Sequence, residues 1–188
     1  MRLGLFGGSF DPVHNGHLAL AACCAEQGQL DAVWLIPAAV QPLKPDGPVA
    51  ADADRVAMLR LATEGQAGRE VSTIEIDRGG VSYTVDTLRQ MRGQLPDAEL
   101  FFLMGADTLR DFSSWREPAE VLRLARPMVV QRPGEGGVAT EVPHLRIDMP
   151  PMAVSSSDLR RRIAAGESIV GLVPDTVAEY IARHGLYR

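Results

Sequence analysis

Short apolar runs closed by Gly or Pro alternate along this chain with longer stretches whose apolar positions recur at helical spacing. Leu3-Gly4-Leu5-Phe6 is apolar and followed by glycines, which predicts a buried strand. Residues 17–29 (HLALAACCAEQGQ) have helical composition and end near Gly28. Asp31 to Pro37 (DAVWLIP) predicts a second strand, closed by proline. Residues 38–50 hold Pro42, Pro45, Gly47 and Pro48 and predict a loop. Residues 52–64 place Val56, Met58 and Leu59 at helical spacing, with Asp52 as the candidate N-cap. Glu70 to Asp77 (EVSTIEID) alternates cleanly, Val71, Thr73 and Glu75 against Ser72, Ile74 and Ile76, which predicts a strand. Gly79-Gly80 makes a turn before a helix over 84–93. Glu99 to Met104 (ELFFLM) is the most apolar strand, and a short helical or irregular stretch after it carries Trp115. A helix over 118–125, a strand from Pro127 to Gln131, a Gly- and Pro-rich loop over 132–143 and a strand from Leu145 to Asp148 follow. Helices over 155–165 and 174–184 close the pattern. Strands alternating with helices specify an α/β fold, a mostly parallel sheet with helices on both faces. No repeat, low-complexity tract or linker interrupts residues 1–188, so the expectation is one domain.

Composition narrows the function classes. The hydrophobic fraction is 46% and the charged fraction 23%, ordinary for a globular protein. With 19 basic and 24 acidic residues the net charge is −5, which argues against nucleic acid as a partner, since that needs a phosphate-neutralising surface. Anionic ligands must then be met by local donors. The two cysteines, Cys23 and Cys24, are adjacent and read as reduced core thiols, which points to a cytoplasmic setting. No second Cys pair or His pair stands at metal-ligand spacing, so protein side chains are expected to hold no metal. MRLGLFGG is too short and glycine-rich for a secretory segment, and no run is long and apolar enough to span a bilayer.

The chemistry concentrates in residues 7–18, GGSFDPVHNGHL, at the first strand-to-helix junction. In an open α/β sheet ligands sit beyond the carboxyl ends of the strands, where the strand order reverses. Gly7 and Gly8 let backbone approach a ligand, the amides of Ser9 and Phe10 suit a phosphate, and Asp11-Pro12 fixes a turn. Gly16-His17 opens a helix whose N-terminus favours an anion. His14 and His17 add donors that take up a proton near phosphates and stabilise charge developing on phosphorus. Neither a G-x-G-x-x-G nor a P-loop spacing is present. Near the other end, VSSSDLR (154–160) has Ser155 and Asp158 in capping-box register, followed by Arg160, Arg161 and Arg162. Read alone it is a capped helix with a basic face; three hydroxyls one turn before Arg160 are equally an anion site.

This pair of motifs resembles the signature of the H-x-G-H nucleotidyltransferase superfamily, whose second motif reads I-S-S-T-x-x-R. Here Val154 stands for Ile and Ser157 for Thr. The chain looks most like bacterial nicotinate-mononucleotide adenylyltransferases. GGSFDPVHNGHL matches them along its length, as do Ser82-Tyr83-Thr84 with Thr87-Leu88, Gly105-Ala106-Asp107, Ser114-Trp115, Arg132-Pro133-Gly134 and Gly185-Leu186-Tyr187. The resemblance implies a Rossmann-like, doubly wound fold. It implies that ATP and nicotinate mononucleotide are converted to nicotinate adenine dinucleotide and pyrophosphate in NAD synthesis. It assigns His14, His17, Lys44 and Arg160 to catalysis. ATP would be bound by these four with Gly7, Gly8, Ser9, Phe10, Gly105, Asp107, Ser155 and Ser156. The mononucleotide would be bound by Ser9, Tyr83, Thr84, Asp107, Trp115 and Arg132. Where the family carries Pro-His before a basic residue, this chain has Pro42-Leu43-Lys44.

The residues themselves are compatible with these roles. Trp115 gives a flat face for a pyridine ring, although it is equally a half-buried core anchor. Thr84 offers a hydroxyl at a helix start to a carboxylate, although Tyr83-Thr84 is equally a plain helix cap. A phosphate monoester nucleophile, with a second pKa of about 6, needs no general base, so direct in-line attack on the α-phosphorus is expected. Mg²⁺ bound through the ATP phosphates is the expected cofactor. A phosphopantetheine adenylyltransferase, a nicotinamide-mononucleotide adenylyltransferase and a non-catalytic nucleotide sensor remain alternatives, and association into a homo-oligomer is left open.

Overall fold

The computed structural model describes residues 1–42, 47–131 and 141–188. Six strands form one sheet: β1 Arg2–Gly8, β2 Ala32–Pro37, β3 Arg69–Val71, β4 Glu99–Gly105, β5 Arg126–Gln131 and β6 Leu145–Asp148. Eight α-helices accompany them among the described residues: α1 Asn15–Gln27, α2 Asp52–Thr63, α3 Ile74–Arg78, α4 Thr84–Gln94, α5 Ala106–Arg110, α6 Pro118–Leu124, α7 Ser156–Ala164 and α8 Asp175–His184. A 3₁₀ turn, Phe112–Ser114, follows α5.

The strand order is β3-β2-β1-β4-β5-β6, and every pairing is parallel. This is the Rossmann arrangement, with the order reversing between β1 and β4. The strands alternate their side chains between two cores. Phe6, Val33, Leu35, Phe101, Leu103 and Met128 pack on one face under α1, α2, α7 and α8. Leu3, Leu5, Ile36, Leu100, Phe102 and Met104 pack on the other, under α3 to α6. Gly4 is required where the faces are tightest: a Cβ there would stand 2.7 Å from Leu30 Cδ1 and 3.0 Å from Leu103 Cδ1. Cys23 and Cys24 are unpaired, and burial pushes the Cys24 thiol up to about 12.

Four local expectations are corrected. The alternating stretch Glu70 to Asp77 is not one strand. β3 ends at Val71, Ser72 N donates to Leu35 O as the last sheet-like bond, and Ile74 starts α3. Ile74 and Glu75 are both buried in the first turn of α3, and a short alternating run of this kind does not separate helix from strand. Asp52 is not an N-cap: Ala51 holds that position, and the Asp52 carboxylate meets Arg55 at 2.5 Å. The first helix starts not at His17 but at Asn15, with His14 as its N-cap. The Ser155–Asp158 capping box is half formed. Ser155 Oγ accepts from Asp158 N at 3.2 Å, but the Asp158 carboxylate turns to Arg161 and Arg162 at 2.6 and 2.8 Å.

Candidate active site

The junction between β1 and α1 lies at the sheet's reversal point. Two aromatic packings shape it. Phe10 adopts a left-handed backbone (φ 47°), and its ring packs edge-on against Phe6 at 5.3 Å and His17 at 4.9 Å. That ring lies 3.1 Å from where a Gly8 Cβ would stand, so Gly8 makes room for Phe10. Gly16 does the same for His14, whose ring Nδ1 is 3.0 Å from the position of a Gly16 Cβ. Gly7 has nothing within 4 Å of its missing Cβ and lines the adjoining cleft. Phe10 is therefore the buried wedge of the turn; its backbone is what a ligand could meet.

His14 and His17 form a reciprocal capping box. His17 N donates to His14 Nδ1, and His14 N donates to His17 Nδ1, each at 3.3 Å. The rings stack with centroids 3.6 Å apart and planes 17° from parallel. A backbone donor on each Nδ1 leaves the remaining ring proton on Nε2, so both imidazoles are fixed as Nε2–H donors. Desolvation pushes His14 down to about 4, with a backbone hydrogen bond pulling weakly the other way. At neutral pH His14 is a neutral donor, so any protonation expected of it must be brought about by the phosphate it meets.

The second motif is folded onto the first across most of the chain. Ser156 Oγ donates to Pro12 O at 2.9 Å, and Arg160 Nη1 donates to Asp11 O at 2.7 Å, 3.8 Å from Asp11 Oδ2. The hydroxyls of Ser155 and Ser156 are thus used within the protein, and what this segment offers an anion is the first-turn amides of α7 with the half-exposed Arg160.

Behind the turn are two anchors the sequence reading missed. The buried Asp11 carboxylate accepts from Val49 N (2.7 Å), Ala50 N (3.1 Å) and the Tyr187 hydroxyl (2.7 Å). Burial, and then the Asp11 hydrogen bond, push the Tyr187 phenol far up, so it stays a donor. Arg55, fully buried, donates to Ser9 O and Ala38 O at 2.7 Å each and pairs with Asp52. It ties the glycine turn to the end of β2. No local pattern signals either anchor, because the partners of Asp11 lie 38 to 176 residues away and the two carbonyls that Arg55 ties together lie 17 and 46 residues from it.

Beside the turn is a cleft of about 440 Å³. Gly7 and Gly8 line it from β1, Gly105 from β4, Tyr83 and Thr84 from the start of α4, and Trp115 from the segment after the 3₁₀ turn. Trp115 lines the cleft and at the same time packs its ring on Phe112 at 5.1 Å and Phe102 at 6.1 Å, as a half-buried core anchor does. Tyr83 is the N-cap residue of α4 without a side-chain cap bond, and its ring lies 4.8 Å under the Arg116 guanidinium. Asp107 is exposed and pairs with Arg110 at 3.0 Å; Thr108, not Asp107, lines the cleft. Ser9 is half-buried beside Arg55 and contributes no cleft lining. Glu75 is a further missed residue. It lines the cleft while only 6% exposed and accepts from Thr87 Oγ1 at 2.6 Å. Lys44 and Arg132 lie outside the described residues, as does Leu43. Among the described residues no group of three His, Cys, Asp or Glu side chains could hold a metal, and no helix is long and apolar enough to cross a membrane.

Residues 5–162 match the cytidylyltransferase-like family. A Thermomicrobium roseum protein named probable nicotinate-nucleotide adenylyltransferase is 44% identical over 196 residues, covering 100% of this chain and 92% of that protein. A Rhodopirellula baltica protein of the same name is 43% identical, covering 99% and 93%. The fold is also that of Plasmodium falciparum nicotinic acid mononucleotide adenylyltransferase complexed with NaAD, with a TM-score of 0.80 at 19% identity, covering 99% of this chain and 97% of that one. This chain therefore belongs to the cytidylyltransferase-like family and, within it, to the nicotinate-nucleotide adenylyltransferases.

Proposed function

We propose that this protein transfers the adenylyl group of ATP to nicotinate mononucleotide, releasing pyrophosphate and forming nicotinate adenine dinucleotide. The observation that carries the reading is one juxtaposition. The stacked His14–His17 pair and Arg160 are held on a single turn, at the sheet's reversal point, next to a cleft walled by Trp115.

The acceptor phosphate is already largely ionised at neutral pH and attacks the α-phosphorus in line, so no general base and no covalent intermediate are needed. Charge grows on the α-phosphate oxygens in the transition state. The two Nε2–H groups and the N-terminus of α1 face that charge as pre-oriented donors, which is where electrostatic catalysis gains most. Arg160 and the first-turn amides of α7 hold the β- and γ-phosphates as pyrophosphate leaves, with Lys44 assisting and Arg132 on the acceptor side. The pyridine ring lies against Trp115, and its carboxylate meets Thr84 and the start of α4. Mg²⁺ suits this site as a companion of the nucleotide. The buried carboxylate of the turn, Asp11, is taken by two backbone amides and Tyr187, so the ion would be held by phosphate oxygens and water and would supply charge to offset the phosphates.

The test is product identification. With ATP, Mg²⁺ and nicotinate mononucleotide, the dinucleotide and pyrophosphate should appear in equal amounts, with no adenylylated protein at any time. Pyrophosphate released without dinucleotide, or a covalently adenylylated chain, would overturn the reading.

A further inference from the structure

We infer that Glu75 selects the acceptor by charge: its buried carboxylate in the cleft complements the positively charged pyridinium ring. The inference rests on the acceptor reading above and adds a determinant to it.

Glu75 is buried in the cleft beside Leu5, Ile36, Leu88, Phe102 and Met104, and the other charged residue lining the cleft, Arg116, lies over the Tyr83 ring at the start of α4. Taking a carboxylate out of water is costly unless a cation offsets it. No ion pair to Glu75 is formed among the described residues. The nearby Arg78 guanidinium donates instead to Thr87 Oγ1 at 3.0 Å and Gln90 Oε1 at 3.3 Å. Burial raises the Glu75 carboxyl above its usual range, while hydrogen bonds from Thr87 and Ser82 and the Arg78 charge pull it back.

Hydrogen bonding does not explain the charge. Thr87 Oγ1 donates to Glu75 Oε1 at 2.6 Å, and Ser82 accepts from Ala39 N at 3.0 Å, so the group braces α3, the start of α4 and the end of β2. A glutamine carbonyl would accept the same bonds. What glutamine lacks is the negative charge, and the acceptor's quaternary ring nitrogen is a cation that enters this cleft. Trp115 on the same cleft adds its ring face, which also favours a cation. The ring's own carboxylate is then best placed at the α4 N-terminus, where first-turn amides receive it, with the nitrogen toward Glu75.

The experiment compares nicotinate mononucleotide with its reduced 1,4-dihydropyridine form, whose ring is uncharged, in wild type, Glu75→Gln and Glu75→Asp. Wild type should prefer the pyridinium form in kcat/KM by about 10- to 100-fold, the scale of one partly shielded charge contact. Glu75→Gln should lose that preference through the pyridinium form alone, with the KM for ATP unchanged. Glu75→Asp should keep the preference. Equal turnover of the two forms by wild type overturns the inference without any variant, which covers a Glu75→Gln protein that does not fold. An equal loss for both forms in Glu75→Gln overturns it too, and leaves Glu75 a structural brace. A wild type that turns over neither form sinks the acceptor reading itself.

Discussion

Lowering the pH from 7 to 5 should destabilise this protein, and His14 should be a measurable part of the cause. Its imidazole is 7% exposed, and burial moves it from 6.5 down to about 4. Between those values the unfolded chain binds a proton that the folded chain refuses, so stability is lost as pH falls from 6.5 toward 4. The shift, taken at ~1.4 kcal/mol per pH unit, gives a loss of about 2 kcal/mol between pH 7 and pH 5 from this one group. Glu75 acts in the opposite direction, because its raised carboxyl takes up its proton more readily folded than unfolded. It is present in both proteins of the comparison and cancels. The partner protein is His14→Asn, which keeps a side-chain acceptor for the His17 amide at the N-cap. Urea unfolding followed through Trp34 and Trp115 fluorescence, at pH 7 and pH 5, measures both. The asparagine protein should lose about 2 kcal/mol less over that range. Equal losses in the two proteins would refute both the neutral, buried imidazole and the Nε2–H donor role built on it.

Three further outcomes follow from the same geometry. Arg55→Met leaves Ser9 O and Ala38 O without their charged donor, and should cost about 3 kcal/mol in urea unfolding; a loss below about 1 kcal/mol would contradict its anchoring role. Trp115→Ala should raise the KM for nicotinate mononucleotide about tenfold while the KM for ATP stays near wild type, and an equal rise in both would remove Trp115 from the acceptor subsite. His17→Ala should lower kcat by about 100-fold or more with little change in KM, because its donor acts on charge present only in the transition state; a pure KM effect would be incompatible with that role.

The parts of the site that were legible in sequence are those whose physics is local. A glycine pair after an apolar run, two histidines three residues apart at a helix start, and serines before an arginine each state a short-range geometry. The parallel sheet was legible because strands and helices alternate. The illegible parts are made by distant partners. Arg55 sits in DADRVAM, where a charged residue in an amphipathic helix reads as solvent-facing, yet the fold buries it completely against two carbonyls. Tyr187 reaches Asp11 from the far end of the chain. Glu75 was hidden by the misread strand, since alternation put it opposite Ile74 when the helical turn buries both. Ser156 shows the intermediate case: its place at a helix start was local, but that its hydroxyl braces Pro12 was not.

The most direct test of the account is kcat/KM for pyrophosphate release with ATP and Mg²⁺, measured in parallel with nicotinate mononucleotide, nicotinamide mononucleotide and phosphopantetheine. The account predicts a strong preference for nicotinate mononucleotide, since the start of α4 favours a carboxylate and Trp115 a pyridine ring. Preference for the amide would keep the turn and its chemistry but contradict the carboxylate site at Thr84. Preference for phosphopantetheine, or no turnover with any of the three, would contradict the acceptor assignment altogether.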